Sequence, residues 1–512
     1  MSNSLGRAVK AALPLFALAS LAAPSIATAG PVARNVLRPP VQGHPAGIRH
    51  IKRNAGPGPI YYAGGGTVPS IAFLGVTESQ AGQPNPSIVP GNGTAGSIFD
   101  YFINSVSQNG GADQISYCQG SAGFGKNVLS GANDNLGLSQ PLPLPPNGNL
   151  PCATPVGTKQ VTQVNGFGAS GQDFGDFAGV DQISTTDYGN WVTNSETSGR
   201  SIFGRGLPVQ VPYIVASVAL LYNNDDPAVE AAQLDLTPTI LCKIADGEIT
   251  NWNQINKKFA SKTLAFTVRS DSAGASFGLS NHLNATCTGA GETYGVSNNY
   301  DEYIAGNPSV GALPNPLPAG ATVANFLAGS GNAGVIKAIL ANDGSIGYVE
   351  AASAAAQVNG SSVDYALVNK KDPIKNMPAS AGTIKTANLL TSVAPGPDVA
   401  NGRAAIDALS PTDDCVLLIN PVSYSKPPNA GYPIIFVVSL LLTQSGNGAD
   451  AADLQQLAYF ISQKKPEAIG AGKVTTVDLY GKSSVGVTGY STVNQGTFGK
   501  IIKSTATTCI GS

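Results

Sequence analysis

Three times in this chain a strand-like run breaks directly into a stretch of small residues. Ile60-Tyr61-Tyr62-Ala63 leads into Gly64-Gly65-Gly66-Thr67-Val68-Pro69. Residues 114–117 lead into Gly120-Ser121-Ala122-Gly123-Phe124-Gly125, and Phe266-Thr267-Val268-Arg269 leads through Asp271 into Ser272-Ala273-Gly274-Ala275-Ser276. Helical spacing resumes after the second and third loops, at 126–130 and 277–283. A strand, a tight loop and then a helix is the unit of an α/β chain with mainly parallel strands. In such open sheets the loops gather at the carboxyl ends of the strands, where ligands sit.

The remaining chain fits the same class. Helices are expected at 97–107, 236–244, 251–259, 335–340 and 454–461, and strands at 174–181, 209–222, 345–349, 432–442 and 474–480. The strand at 174–181 ends on a carboxylate, Asp181. The Pro/Gly/Asn-rich stretch 131–165 reads as a surface loop held by Cys152, and 284–320 shows no period at all. No internal repeat is present.

Export is read from the first residues. Arg7 and Lys10 precede a mostly apolar run at 11–23, and Ala27-Thr28-Ala29 is a small-x-small cleavage site, so 1–29 is expected to be a signal peptide. Residues 30–59, rich in Pro, Gly and Arg, read as a flexible leader. No apolar run of the roughly 18 residues needed for a span occurs. No cysteine near the cleavage site invites a lipid anchor, which points to the periplasm or the outside of the cell. The formal net charge of −2 gives no reason to expect nucleic acid as a partner. The 6 cysteines suit disulfides in an oxidising compartment. Sequential pairing, Cys118–Cys152, Cys242–Cys287 and Cys415–Cys509, would staple three local regions.

Each small-residue loop alone reads better as a helix cap or connector than as an anion site. Together they bring the anion reading level with that one, because unpaired amides at helix starts attract negative charge and Arg269 adds a planar fork matched to oxyanions. Other chemistries lack their residues. The histidines are His44, His50 and His282, and no C-x-x-C pair occurs, so no zinc or redox cofactor is expected. Neither a Gly-x-Ser-x-Gly elbow with Asp and His in order nor a P-loop lysine motif is present.

These residues carry a resemblance. Gly64-Gly65-Gly66-Thr67-Val68-Pro69, Tyr117-Cys118-Gln119-Gly120-Ser121-Ala122-Gly123 and Asp176-Phe177-Ala178-Gly179-Val180-Asp181 resemble blocks of the periplasmic phosphate-binding protein family, the receptors of phosphate ABC importers. Ile249-Thr250-Asn251-Trp252-Asn253, Arg269-Ser270-Asp271 and Gly344-Ser345-Ile346-Gly347-Tyr348-Val349-Glu350 follow in the family's order, and Tyr432-Pro433-Ile434 extends the match.

The resemblance implies a two-lobed periplasmic binding protein fold, type II-like, closing on one inorganic phosphate in a cleft between lobes. Lobe 1 would comprise 60–212 with about 356–512, and lobe 2 would comprise 213–355. Thr67 would donate through its hydroxyl, Val68 through its amide, and Ser121 through both. Arg269 would take the charge with Asp271 orienting it, Gly274 and Ala275 would give helix-start amides, and Asp181 would accept the proton phosphate still carries. Sulfate has no such proton, so a facing carboxylate discriminates without a size difference.

One block departs from the family pattern, which has Gly-Ser-Gly-Thr where this chain has Ser272-Ala273-Gly274-Ala275. Two hydroxyls are missing, with Ser272 and Ser276 as candidate substitutes. Each lost charge-assisted bond costs about 1.5–3 kcal/mol. The expected protein is a non-enzymatic monomer with no cofactor, serving an ABC permease. A secreted phosphatase on the same scaffold, or a surface protein with weakened anion binding, are the alternatives.

Overall fold

The computed structural model describes residues 60–66, 68–74, 88–89, 97–108, 113–120, 122–130, 154–156, 159–161, 175–183, 187–188, 191, 206–287, 295–296, 322–323, 325–358, 362–377, 384–389, 415–426, 430–463, 489–493 and 496–511. The expected signal peptide, the leader, Thr67, Ser121, the strand at 474–480 and the Cys118–Cys152 pair lie outside the described residues. So does most of the loop at 131–165.

The strands in chain order are β1 (Ile60–Gly66), β2 (Ile88–Val89), β3 (Gln114–Gly120), β4 (Thr154–Val156), β5 (Lys159–Val161), β6 (Phe177–Val180), β7 (Pro208–Asn223) and β8 (Asp235–Leu236). They continue with β9 (Ala265–Arg269), β10 (Thr322–Val323), β11 (Phe326–Gly329), β12 (Ser345–Glu350), β13 (Val363–Tyr365), β14 (Leu367–Val368), β15 (Ile435–Thr443) and β16 (Tyr490–Thr492). A 12-stranded sheet runs β10-β11-β9-β12-β7-β15-β6-β1-β3-β2, with β13 and β16 also on β7. β8 pairs with β14, and β4 with β5.

The spine is β7. All 16 of its residues are buried, and its Val/Ile/Leu-rich run without alternation is what a strand covered on both faces requires. Its first part, 208–217, pairs antiparallel with β15, and its last part, 218–223, pairs antiparallel with β12. Pro212 has no amide to give the ladder, and the β15 register shifts beside it, between Val438 and Ser439. The proline therefore sits where a bulge already interrupts pairing.

Each part of β7 anchors one lobe. On the first, β6, β1 and β3 are parallel, with Gly64 opposite Cys118 and Gly65 opposite Gly179. On the second, β12, β9 and β11 are parallel, with Gly347 opposite Thr267 and Gly329 opposite Arg269. This two-lobed α/β arrangement brings the loops after β1, β3 and β6 out at one end of the first lobe, and those after β9, β11 and β12 at one end of the second. Beyond residue 355, β13 pairs with β7 at 221–223 and β14 with β8.

Aromatic rings fill both cores. Phe73 meets Phe99, Tyr117 and Tyr213 in the first lobe, and Phe266 meets Phe326 and Tyr348 in the second. Disulfides join Cys242 to Cys287 and Cys415 to Cys509.

Local structure differs from the periodicity at four elements. The helix expected over 97–107 is α-helical only at Ile98–Tyr101 and passes into a π-helical turn at Phe102–Val106. The helix expected over 251–259 stops at Ile255, where the Asn251 capping box has closed a single turn. Strand β11 and the C-terminal helix Thr497–Cys509 had no clear signature, since each is short or strongly polar. Among the described residues no helix is long and apolar enough to cross a membrane.

Candidate functional site

The helices that matter here are α1 (Ala122–Ser130), α2 (Gly274–Thr286), α3 (Gly331–Ala341) and α4 (Ala351–Ala355). In the second lobe, β9 ends on Arg269, whose side chain is almost fully buried. Its Nε donates to Asp271 Oδ1 at 2.8 Å and its Nη2 to Asp271 Oδ2 at 2.6 Å. Such a fork-to-fork pair fixes the guanidinium plane. Nη1 donates to Asn332 Oδ1 at 3.2 Å, and Asp271 Oδ1 also accepts from the Gly331 amide at 2.9 Å. The start of α3 thus grips the same arginine–aspartate pair from the other side.

Directly after this pair comes the start of α2. Its N-cap is Ala273, which has no side-chain acceptor, and the first i→i−4 bond is Phe277 N to Ala273 O at 3.1 Å. The amides of the first turn therefore meet neither an intrahelical carbonyl nor a capping side chain, at the electropositive end of a 13-residue helix. Ser272 is half-buried beside it, while Gly274 and Ala275 are buried. Ser276 does not replace a missing hydroxyl: its Oγ lies 2.8 Å from the Tyr348 hydroxyl, inside the core. A methyl group on Gly274 would stand 2.7 Å from a ring carbon of Phe436. Only glycine lets α2 begin this close to β15.

The first lobe presents its own loop ends. Gly65 has φ +149°, and a Cβ there would lie 2.1 Å from the Gly179 carbonyl oxygen; a Cβ on Gly125 would lie 2.8 Å from Gly65 Cα. The glycines close the ends of β1, β6 and α1 onto one another. Val68 is buried, and its carbonyl accepts a hydrogen bond from the Tyr490 hydroxyl. Asp181 follows β6 and is buried, with Oδ1 2.7 Å from Lys126 Nζ. The same ammonium lies 3.0 Å from Asp187 Oδ2 and 3.2 Å from the Gln182 carbonyl oxygen. Lys126 offsets the Asp181 charge, while an ionised carboxylate retains acceptor sites beyond one ammonium.

One side chain links the two lobes: Tyr490 on β16 donates to the Val68 carbonyl after β1 and acts on Glu350 at the end of β12. Val68 and Asp181 thus stand on one lobe and Arg269, Asp271, Ser272, Ala273, Gly274 and Ala275 on the other. Sequence reasoning missed Lys126, Asn332, Tyr348 and Glu350. Asn332 was findable, since Gly329-Ser330-Gly331-Asn332 is a fourth small-residue loop after a strand.

The chain is similar to several known proteins. Residues 151–399 match the model of a PBP superfamily domain. Alkaline phosphatase L of Pseudomonas aeruginosa is 27% identical over 261 residues, 50% of this chain and 59% of that protein. A phosphate-binding protein from an unknown prokaryotic organism is 26% identical over 291 residues, covering 55% of this chain and 69% of that protein. The match to the first of these spans about three-fifths of its length. Among solved structures, a phosphate-binding protein from Stenotrophomonas maltophilia aligns at 19% identity and a TM-score of 0.47, over 78% of this chain and 83% of that one. The chain is thus similar to PBP superfamily domains over the stretch 151–399, and to a phosphate-binding protein over about half its length.

Proposed function

We propose that this chain is an exported, non-enzymatic binding protein that captures inorganic phosphate between its lobes. The observation that carries the proposal is the buried Arg269 guanidinium, locked by Asp271 and Asn332 beside the uncapped start of α2. A fixed cation next to unpaired helix amides is an oxyanion cradle with its orientation already settled. Val68, with Thr67 and Ser121 in the adjacent loops, would supply the donors of the facing wall. Asp181 would accept the ligand's proton, with Lys126 holding the carboxylate in place. An ABC permease is the partner proposed for the loaded form, and the periplasm or the cell exterior its place of action.

Calorimetric titration with phosphate, and with sulfate as competitor, tests this. Saturable 1:1 phosphate binding with sulfate rejected is the expected result; no heat at millimolar phosphate would falsify it. An Asp181→Asn change should narrow the gap between the two anions.

The name of the Pseudomonas aeruginosa relative favours one second reading, a phosphomonoesterase. Turnover of a chromogenic phosphomonoester, assayed with and without added divalent metal, separates catalysis from capture.

A further inference from the structure

Three segments far apart in the chain meet at one hydroxyl. Tyr490 is fully buried on β16, which pairs with β7 at 214–216. The preceding residue is pinned as well: the amide and hydroxyl of Ser217 both donate to the Gly489 carbonyl at 2.9 Å. From this fixed position the Tyr490 hydroxyl donates to the Val68 carbonyl, faces the amides of Ile71 and Ala72, and has the Glu350 carboxyl group as a neighbour that acts on it. Glu350 ends β12 and is itself fully buried. Its carboxyl oxygens accept from the amides of Ala352 and Ser353 at the start of α4.

A phenol has one proton to give. While that proton lies on the Val68 carbonyl, a hydrogen bond between Tyr490 and Glu350 can form only with a proton from the carboxyl side, that is, with Glu350 in its acid form. Once Glu350 is ionised, its carboxylate is the stronger acceptor and draws the phenolic proton. The Val68 carbonyl then loses its donor, in the turn that follows the first glycine loop.

We propose that Glu350 and Tyr490 form a proton-dependent strut between the lobes. With Glu350 protonated, Tyr490 holds the Val68 turn in place; with Glu350 ionised, Tyr490 turns to the carboxylate and the turn loosens. Insofar as this turn forms one wall of the proposed phosphate cleft, the anion is held more tightly with Glu350 protonated.

The environment of Glu350 places the switch in an accessible range. Burial pushes its carboxyl up to about 7, against the lowering effect of Ser353, the two helix amides and Tyr490. Tyr490 is the titratable group that acts on it among the described residues; burial and the nearby carboxyl keep that phenol protonated throughout. From β7 the residue paired with Glu350 is the apolar Val218, and α4 contributes only Ser353.

Hydrogen exchange of the amides at 68–74 in the ligand-free protein reads the strut directly. Wild type is compared with Glu350→Gln at each pH, so that the intrinsic pH dependence of exchange cancels. The carboxamide keeps a donor toward Tyr490 at every pH. Equal exchange near about pH 5.5, and about fivefold faster exchange in wild type near about pH 8.5, is expected from the loss of one net hydrogen bond. Tyr490→Phe should exchange fast at both pH values, and it serves alone if the glutamine variant does not fold. The ratio of phosphate Kd values, wild type to Glu350→Gln, should rise by a similar factor, since the ionisation of phosphate itself also cancels. A wild-type to variant exchange ratio that stays flat with pH overturns the strut. The expected exchange ratio without any phosphate binding leaves the strut standing and overturns the proposed function instead.

Discussion

Arg269 shows how one residue concentrates the argument. Three of its donors are committed to Asp271 and Asn332, and a lysine cannot reproduce that planar arrangement. Arg269→Lys should therefore weaken phosphate binding by about ten- to a hundredfold, measured by calorimetry, even though the charge is kept. Lys126 makes a different prediction. Lys126→Met takes the ammonium away from a buried carboxylate, Asp181, and breaking such a buried pair costs about 3–5 kcal/mol in denaturant unfolding. The double variant with Asp181→Asn should recover much of the loss, which a purely packing role for Lys126 would not allow. Two other buried groups set the pH response. His282 donates through Nδ1 to the Ser425 carbonyl, and burial lowers its pKa from 6.5 to about 4. Between those values the unfolded chain binds the proton and the folded one does not, so this contribution is full above 6.5 and is lost as pH falls. Glu350 runs the other way: raised from 4.5 to about 7, it stabilises fully below 4.5 and less as pH rises. Each spans roughly 2.5 units, about 3 kcal/mol at about 1.4 kcal/mol per unit. In wild type the two oppose each other between 4.5 and 6.5. His282→Asn should expose a stability that falls with pH across that window and Glu350→Gln one that rises, as urea midpoints at fixed pH will show. Helical pattern alone reads His282 as a helix-surface residue, whereas the fold buries it, because burial depends on contacts that periodicity does not carry.

At the scale of elements, what positions the site is close approach rather than side-chain chemistry. The α2 start lies against Phe436, and Gly274→Ala would put a methyl group 2.7 Å from that ring. The helix start must shift, and a misplacement of its amides should cost about tenfold or more in phosphate affinity. Combining it with Phe436→Leu should return part of the affinity, while a loss caused by the alanine at the ligand itself would persist. Sequence reasoning found three strand–loop units, two of them running on into a helix, because glycine and serine mark such loops directly. It read 126–130 as helix, whereas the structure starts α1 at Ala122 and so places Lys126 in the second turn, within reach of Asp181. Glycines at 123 and 125 mask helical periodicity, although Gly125 is there to let Gly65 approach. Strand β11 was missed for a related reason: four residues ending in Ala-Gly are too few and too small to show a period. Its pairing with β9 decides the matter through long-range contacts.

For the whole molecule, the α/β class was readable from local pattern, but the continuity of the sheet was not. Nothing local tells that β7 serves both lobes; that follows from its pairing with β15 at one end and β12 at the other. The disulfides reflect the same division. Cys242–Cys287 joins two segments of the second lobe 45 residues apart, and Cys415–Cys509 spans 94 residues, tying the C-terminal helix Thr497–Cys509 beside Gln210 at the start of β7. The chain-entropy account gives about 4 kcal/mol for the shorter loop and about 4.7 kcal/mol for the longer, so their stability costs should be nearly equal. Their functional costs should differ. The Cys242–Cys287 bridge ends at Cys287, the C-cap of α2, the helix whose other end faces the proposed ligand. Replacing Cys242 and Cys287 together by serine should weaken phosphate binding along with stability. Replacing Cys415 and Cys509 should lower the unfolding midpoint by a similar amount and leave the affinity of the folded protein within about twofold, because α2 and Arg269 are untouched. Equal losses of affinity in both variants would mean that the lobes do not move as separate bodies around β7, and that closure depends on the tail as much as on the cleft.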